Sequence, residues 1–430
     1  MKTTIALGVS AALLSICANA TGFLPSHQTK SLAMGGVGVA IPDLTTALTH
    51  NPATLSASKV ESGFWLQLPV ATLGASDEDN FIDALDDFQD SEIIDRLDAS
   101  INSAGTLDSY TDIANNADEL SSEIANLSGR QIDASLGLLG SLAVPGQEFG
   151  IGIKASTGVS LGGQINYKDA YSLAALSQDL RNFDNCLESN QQTFGSCDPR
   201  TMSWNYIDPL SGEVLFNTED DIASTVSLQG LGVTEIGISL STSFDVKGKH
   251  LAVALTPKLQ HVSLINYSAG VETADINDFN EDDFLTNHTE FNTDIAAFFE
   301  INEHWNAGLV GTNLLSKEYL TTDQRVVEIN PQAVLGLSYH RDWVTVALDV
   351  DATKQNLPNG EDEQIVALGV ELDALEFARI RIGYRHDLEN ADRDLVSAGI
   401  GFNLLGLNVD IGAAANDSRA LASMQLGYRW

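Results

Sequence analysis

Histidine is the residue type in this sequence best suited to catalysis, and its eight copies are not grouped. His50, His261, His288, His340 and His386 lie far apart along the chain. A hydrolase needs a nucleophile, a base and an orienting group that converge, and no G-x-S-x-G motif supplies the nucleophile. We therefore predict no enzyme, no catalytic residue, no cofactor and no metal site, and expect each histidine in a lumen or an interface.

Two cysteines, Cys186 and Cys197, remain for redox chemistry once an N-terminal signal is removed. No CxxC pair is present, which excludes a thioredoxin-type motif and a multi-cysteine zinc module. The residues between the two cysteines are polar and loop-like, and in an oxidising compartment we expect a disulfide that contributes about 2–3 kcal/mol. Two free thiols or a metal-binding pair are the alternatives, without supporting His or Cys neighbours.

The N-terminus has the three parts of a secretory signal. A short basic start is followed by an apolar run over residues 5–16 and by Ala18-Asn19-Ala20, a small-x-small cleavage site. We predict a signal peptide over residues 1–20, cleaved after Ala20. Lipid attachment at Cys17 is the weaker alternative, because Ile16 stands where a lipobox needs a small residue.

Composition narrows the class of protein further. The chain has 22 basic and 59 acidic residues, a formal net charge of −37, and 43% hydrophobic residues. That hydrophobic share is typical of a folded chain. The acidic excess would repel phosphate backbones, so we predict no nucleic-acid partner. Divalent cations or a cation-bridged surface suit this charge better.

Alternation of apolar with small or polar residues dominates the second half of the chain. In residues 396–404, for example, Val396, Ile400 and Phe402 point one way, while glycine, serine and asparagine point the other. This period of two predicts an all-β chain. The 14 predicted strands are 62–75, 131–144, 149–166, 222–245, 250–266, 289–301, 305–316, 326–340, 343–354, 363–374, 377–387, 394–404, 407–415 and 421–430.

The polar faces of these strands indicate where the sheet lies. After residue 20 no apolar stretch approaches the length of a membrane-spanning helix, so the chain is soluble or a closed barrel. In a membrane barrel the aliphatic faces meet lipid and the charges line the lumen. A soluble sheet with a charged solvent face is the alternative. The predicted lumen charges are Asp349, Asp351, Glu371, Arg379, Arg381 and Arg385.

Connection lengths favour the barrel. Short turns alternate with long loops at 76–130, 167–221, 267–288 and 317–325, as in outer-membrane barrels with periplasmic turns. We therefore predict a transmembrane barrel of about 14 strands with both chain ends on the periplasmic side. The acidic loop 76–130 has apolar residues three to four apart, which predicts two amphipathic helices. Two interpretations stay open for it, a solvated surface and a lid that binds a partner or cations.

A second acidic cluster, which includes Asp275, Asp278 and Asp282, lies in another long loop. Its oxygen ligands would suit Ca²⁺, but the glycine and closing glutamate of an EF-hand are missing. A solvated acidic loop is the preferred interpretation.

The segment that follows the signal carries a family resemblance. It reads Lys30-Ser31-Leu32-Ala33-Met34-Gly35-Gly36-Val37-Gly38-Val39-Ala40 and continues to Asn51-Pro52-Ala53. This run resembles the N-terminal plug of the FadL-type outer-membrane transporters. The resemblance implies a plug-like segment over 21–59 inside a barrel over 60–430, with an acidic helical loop at 76–130 and a disulfide loop at 167–221. The implied plug motif is Gly35, Gly36, Gly38, Asn51, Pro52 and Ala53.

Together with the acidic insert, the plug is similar to the exported family labelled conjugal transfer protein TraF. The resemblance implies a gated channel for uptake of small hydrophobic compounds. A structural or partner-binding envelope component of conjugal plasmid transfer is the alternative.

The C-terminal stripe that ends in Tyr428 and Trp430 looks like the strand signal read by the barrel-assembly machinery. The expected location is the outer membrane of a Gram-negative bacterium. Its lipid and lipopolysaccharide, and the assembly machinery, are the expected partners.

Overall fold

The alternating segments form the wall of a closed barrel. The computed structural model describes residues 28–58, 63–78, 80–104, 107–189, 197, 204–271, 284–356, 362–375 and 377–430. Its strands, in chain order, are β1 (Trp65–Glu78), β2 (Gln131–Val144), β3 (Phe149–Asn166), β4 (Thr225–Val246), β5 (Lys249–Gly270), β6 (Leu285–Glu300), β7 (Trp305–Thr312), β8 (Lys317–Leu320), β9 (Val326–Ile329), β10 (Gln332–Arg341), β11 (Val344–Asp351), β12 (Gln355–Asn356), β13 (Asp362–Glu363), β14 (Ile365–Leu375), β15 (Ala378–Asp387), β16 (Leu395–Leu404), β17 (Leu407–Ala415) and β18 (Arg419–Arg429).

Fourteen of these strands are antiparallel neighbours around the barrel, and β1 closes it by pairing with β18. The predicted 14-stranded barrel is therefore confirmed. The strands β8 and β9, and β12 and β13, form two separate two-stranded sheets that are not part of the barrel wall.

The outer surface of the wall is apolar. Leu73 and Val396 are 60% and 66% exposed, and Ile380, Ile382 and Tyr384 are exposed on the reverse of the arginine-bearing face of β15. A closed barrel leaves no unpaired strand edge, which is what lipid requires. Aromatic side chains form a belt at one rim, as in membrane barrels. The exposed members of that belt are Phe64, Phe149, Phe244, Trp305, Trp343, Phe377, Phe402, Tyr428 and Trp430.

The aromatic rim is also the end with the short connections. Turns such as 145–148 and 405–406 lie there, whereas the helical loops lie at the opposite end. The barrel begins and ends at this rim, because Phe64 N donates to Trp430 O at 2.9 Å and Trp430 N donates to Phe64 O at 3.2 Å. Short turns and both ends of the barrel therefore share one side, as predicted from connection lengths.

Residues 28–58, which we call the plug, lie within the barrel. They form α1 (Thr29–Leu32), α2 (Leu44–Ala47) and a 3-10 helix at Pro52–Ser56. The side chains of Asp43 and Asn51 cap the second and third of these short helices by accepting from Thr45 N and Ala53 N. None of the plug residues is part of a strand.

The described part of the first long loop contains three helices rather than the two predicted: α3 (Phe81–Ser91), α4 (Ile93–Asn102) and α5 (Leu107–Leu127). The apolar stripe over 81–97 runs across a break at Glu92, whose left-handed φ of 49° ends α3. Ile82, one of the apolar residues of this segment, is 46% exposed. Periodicity alone carried no sign of the break.

The second long loop contains a helix where a polar loop was expected. Helix α6 (Ala170–Ser189) carries Cys186, which is disulfide-bonded to Cys197, and the short α7 (Thr218–Asp221) follows. Helices α3–α6 share one buried core, which we call the cap core, and Leu97, Leu120 and Phe183 lie in it. No helix in the described ranges is both long and apolar enough to cross a membrane.

One predicted strand is wrong at its start. The segment expected as a single strand over 326–340 is split, because Asn330 and Pro331 separate β9 from β10 and proline has no N–H for the ladder. The hairpin β8–β9 turns into the lumen instead. Tyr319 and Ile329 of this hairpin are buried against Leu231 and Leu264 of the wall. The signal peptide and the acidic cluster that includes Asp275 lie outside the described residues.

Candidate functional site

The plug rests on a row of small residues that crosses the inner wall. Strand register places these residues side by side on seven neighbouring strands. Small side chains leave room for the plug backbone between the strands. This small-residue row is Asn306, Ser338, Ala347, Gly369, Gly383, Ser397 and Ala414.

The closest approach is at Gly383, where no side chain would fit. A Cβ there would lie 2.7 Å from Met34 Cα and closer still to Gly35 N. Gly35 itself has a φ of 77°, a left-handed conformation that favours glycine, and a Cβ on it would lie 2.6 Å from Tyr384 O. Gly35 N donates to Ser397 Oγ at 2.8 Å. Glycines of the plug and of the wall therefore permit direct backbone contact.

The rest of the predicted plug motif lies where the segment turns. Asn51 Nδ2 donates to Val39 O at 2.7 Å and to Ala297 O at 3.0 Å, so it ties two parts of the plug to β6. Pro52 and Ala53 open the 3-10 helix, and Ser241 Oγ donates to Ala53 O at 3.1 Å. These contacts hold the end of the plug against β4 and β6.

Gly36 and Gly38 lie in the turn between α1 and α2. Gly36 has a left-handed φ of 106°. Gly38 N and Val39 N both donate to Asp349 Oδ2, at 2.7 and 2.9 Å. A Cβ on Gly38 would lie 2.5 Å from the ring of His50. Asp349, one of the six predicted lumen charges, therefore holds the plug by two backbone hydrogen bonds.

A line of alternating charges, which we call the latch, joins the plug to the wall. It consists of Asp43, Lys30, Glu371, Arg381 and Asp410, in that order. Lys30 Nζ lies 2.7 Å from Asp43 Oδ2 and 2.9 Å from Glu371 Oε1. Arg381 Nε lies 2.6 Å from Glu371 Oε2, and its Nη1 bonds Asp410 Oδ1. The side chains of Lys30 and Arg381 are 3% and 1% exposed.

The plug's two charges in the latch stay ionised around neutral pH. Burial would lower the pKa of Lys30, but Asp43 and Glu371 outweigh it and hold that pKa above its usual value. Burial would raise the pKa of Asp43, but Lys30 and hydrogen bonds from Thr45 hold it well below its usual range. The pair therefore stabilises the plug above the ordinary pKa of aspartate and below that of lysine. Removing one partner leaves an uncompensated buried charge.

The other three predicted lumen charges lie on the inner side of the wall, at different heights. Arg379 Nε pairs with Asp373 Oδ1 at 3.0 Å near the short-turn rim. Arg385 Nη2 pairs with Glu363 Oε1 at 2.8 Å near the opposite end. Asp351 Oδ2 accepts from Ile365 N at 2.9 Å. The structure therefore brings Asp349, Glu371 and Arg381 to the plug, whereas Asp351, Arg379 and Arg385 are bound elsewhere on the wall.

A cavity of about 730 Å³ lies in the lumen above the plug, on its long-loop side. That volume is in the range of small-molecule sites. Leu32 and Val39 of the plug contribute apolar surface to it, as do Ile365 and Leu395 of the wall. Its remaining lining is mostly polar, and includes Gln131, Asp133, Ser135, Gln164, Gln229, Gln332, Asp351, Arg385 and Arg419. The cavity therefore offers both apolar contact and hydrogen bonding.

The other half of the lumen is filled by the wall itself. Lys258 Nζ lies 2.9 Å from Glu235 Oε1 and 3.0 Å from Asp294 Oδ1, and Gln260 Nε2 donates to the same Glu235 oxygen. The inward hairpin β8–β9 covers this network from the long-loop side, where Lys317 pairs with Glu290. Open space in the lumen is thereby displaced away from β5 and β6.

His50 is partly buried in the plug and lines the cavity. Its Nε2 lies 2.9 Å from Ser31 Oγ and its Nδ1 lies 3.0 Å from Thr49 Oγ1. Burial and then the positive charge of Lys154 lower the pKa of His50 to about 4. The imidazole is therefore neutral at pH 7. No group of metal-ligating side chains is found in the part of the chain that the structure describes.

The sequence did not reveal which wall residues bind the plug. Lys30 stood in the quoted motif without a role, because its partner Glu371 is 341 positions away. The small-residue row had a visible signal in the sequence: apart from Asn306, its members are glycine, alanine or serine, which recur on the polar face of successive strands. Aligning those positions in the register of neighbouring strands would have shown one continuous row of small residues on which the plug can lie.

Comparison with known proteins gives one family and several structural likenesses. The family model described as "F plasmid transfer operon, TraF, protein" matches residues 48–351. The toluene transporter TodX of Pseudomonas putida is 10% identical, with a TM-score of 0.49 over 96% of this chain and 99% of that one. The toluene transporter TbuX of Ralstonia pickettii is 11% identical, with a TM-score of 0.48 over 96% and 100%. No curated protein matches in sequence.

A methyl group at Gly383 should unseat the plug. Gly383→Ala would overlap the backbone of Met34 and Gly35, and overpacking of this kind costs about 1–3 kcal/mol. We expect trypsin to cleave after Lys30 about ten-fold faster, because exposure of that bond follows the population of the open form. Gly140→Ala is the matched control, since its methyl group would meet nothing closer than 3.9 Å. Equal cleavage rates in the two variants would contradict direct packing of the plug backbone on Gly383.

Acid should loosen the plug through His50. Its lowered pKa means that the seated plug disfavours the charged imidazole, so seating weakens as pH falls from 6.5 toward 4. The full shift corresponds to about 3 kcal/mol of seating free energy. We expect the ion current of reconstituted protein to rise between pH 7 and pH 5. In His50→Gln that rise should disappear, and identical pH profiles for the two proteins would refute this role.

Proposed function

Because the chain belongs to the family described as F plasmid transfer operon, TraF, protein, we propose that this family member is an outer-membrane channel closed by its own N-terminal plug. Its cargo is small molecules with a substantial hydrophobic part. The observation that carries the proposal is the latch, which joins a segment without strands to the inner wall by buried charges. The aromatic rim and the apolar outer surface support the membrane location.

The plug is suited to act as a gate because its release would leave the wall intact. Residues 28–58 form no strand, and hydrogen bonds and ion pairs attach them to the wall at separate points. Moving the segment therefore breaks no rung of the ladder that closes the barrel. The latch gives the closed state its specificity, since Lys30 is matched only where two carboxylates meet. Removing a strand from the wall would instead break the backbone hydrogen bonds on both of its sides.

The cavity supports the class of cargo. Leu32, Val39 and Leu395 supply apolar surface for the body of a molecule, while glutamine and serine side chains supply donors and acceptors around it. The volume of about 730 Å³ limits a bound molecule to a small one. The cavity touches Gly35 and Gly36 of the plug, so a molecule bound there would contact the gate.

The predicted processing and partners form part of this proposal. Cleavage after Ala20 would leave residues 21–59 as the plug-like segment and 60–430 as the barrel. Outer-membrane lipid and lipopolysaccharide would contact the exposed belt. Tyr428 and Trp430, which point outward from β18, would be presented to the barrel-assembly machinery.

A second function is favoured by one feature, the group of helices α3–α6 that contains the cap core. It has its own core and a disulfide, and it projects from the long-loop end of β1–β4. Together with the family's plasmid-transfer description, this supports a partner-binding envelope component in conjugation. A deletion strain that loses mating efficiency but keeps uptake would favour this function over the channel.

Breaking the latch should open the channel. Lys30→Met leaves Asp43 and Glu371 facing each other without their shared cation, which should weaken seating by about 3 kcal/mol or more. That change raises the unseated fraction about a hundred-fold, and the ion current across a planar bilayer should rise with it. Lys354→Met is the control, because its pair with Glu389 is exposed. A current equal to that of the control would count against gating by the plug.

A further inference from the structure

One side of the lower lumen differs from the rest of the plug's seat. Where β18 meets β1, the plug reaches the wall through side chains: Gln28 Nε2 donates to Gln425 Oε1 at 2.7 Å, and the Thr29 and Ser423 hydroxyls lie 2.7 Å apart. Elsewhere, as at Gly383, the plug backbone touches the wall directly. On this side, buried polar side chains of the plug and of β18 meet each other.

Below these contacts, polar side chains form a continuous patch. Register places Asn408, Gly427, Gln67 and Ser141 side by side on β17, β18, β1 and β2. Asp410 lies opposite Gln425 on the next inward-facing row. Together with Trp65, which lies over this patch, we call Gln67, Asn408, Asp410 and Gln425 the polar seam.

The polar seam is buried, and its hydrogen bonding is incomplete. The exposed fractions of Trp65, Gln67, Asn408, Asp410 and Gln425 are 4%, 3%, 3%, 0% and 0%. Each has one polar atom with no hydrogen-bond partner among the described residues. These atoms are Trp65 Nε1, Gln67 Nε2, Asn408 Oδ1, Asp410 Oδ2 and Gln425 Nε2.

Burying these five unpartnered atoms destabilises the state in which the plug is seated. A buried polar atom without a partner costs about 1–3 kcal/mol, and native proteins contain few of them. Five on adjoining strands indicate a surface that is solvated in another state of the protein. These atoms would form hydrogen bonds when water or a polar group of a passing molecule reaches the seam.

The side chain that closes the seam is Trp65. Its ring lies over Gly427, where a Cβ would be 2.5 Å from Trp65 Cη2, and it packs against Leu48 and Leu55 of the plug. The strand beside it is irregular, since the register of β1 shifts after Gln67 against both neighbours. Pro69, within that shift, has no N–H for the ladder. Trp65 therefore lies beside a break in the hydrogen-bond ladder of β1.

We propose that the polar seam is the route by which water and the polar part of a cargo pass the plug toward the short-turn side, with Trp65 as the side chain that closes it. This inference rests on the channel function proposed above and names its path. The ligand class is neutral hydrogen-bonding groups, because the seam presents amide and indole donors beside amide and carboxylate acceptors.

The test measures access to the seam in the full-length protein in liposomes. A cysteine is introduced at Asn408, and its reaction with a membrane-impermeant cationic methanethiosulfonate is followed by mass. The matched control is Ser239→Cys, an inward-facing buried site on β4 whose hydroxyl bonds Thr256 at 2.8 Å. We expect Asn408→Cys to react about ten-fold faster than the control, and Trp65→Ala to accelerate it further, whereas Trp65→Phe should not.

Two outcomes separate this inference from the channel itself. If Asn408→Cys reacts as slowly as Ser239→Cys, with and without Trp65→Ala, the seam is not a path, even where Lys30→Met conducts. If Asn408→Cys reacts quickly while Lys30→Met carries no more current than Lys354→Met, the seam is accessible and the gating proposal fails. Heat-modifiable migration on a gel confirms that each variant retains a folded barrel.

Discussion

A bilayer offers no hydrogen-bond partner to a strand edge, so this chain pairs its first wall strand with its last and turns aliphatic side chains outward. Because lipid covers the outside, a charged side chain of the wall at membrane depth has only the lumen to face. The interior of this barrel is consequently crowded with carboxylates, guanidinium groups and amides. Those groups must be paired, since an isolated buried charge is far more costly than a paired one.

The plug completes that pairing. Lys30 pairs with Glu371, and the backbone N–H groups of Gly38 and Val39 donate to one carboxylate oxygen of Asp349. In return the wall supplies a row of small residues on which the plug backbone can lie. Closure thus depends on side-chain chemistry rather than on sheet formation, and this is why the same contacts can be reversible. Several buried polar atoms of the described residues still lack a hydrogen-bond partner, and five of them lie together in the polar seam beside Trp65.

Much of the wall could be predicted from the chain, because strands of a lipid-facing barrel keep a strict period of two along their length. Strands such as β3 and β17 match their predicted bounds for that reason. The prediction failed where a local irregularity outweighs the pattern, as at Glu92, which ends α3, and at Pro331, which separates β9 from β10. The link of the latch between plug and wall could not be predicted, since Lys30 and Glu371 are 341 positions apart. The glycines of the plug motif were identified correctly as unusual, but their contacts required the register of the wall.

The proposed gating requires that movement of the plug opens the lumen. The direct measurement locks the plug with a disulfide, Thr29→Cys with Ser423→Cys, at positions whose hydroxyl oxygens lie 2.7 Å apart. Ion current is then recorded in a chain that also carries the latch substitution, before and after addition of reductant, with the unlocked parent treated identically. The account predicts that the oxidised lock abolishes the current and that reduction restores it. A current that is the same with the lock closed and open would contradict the account.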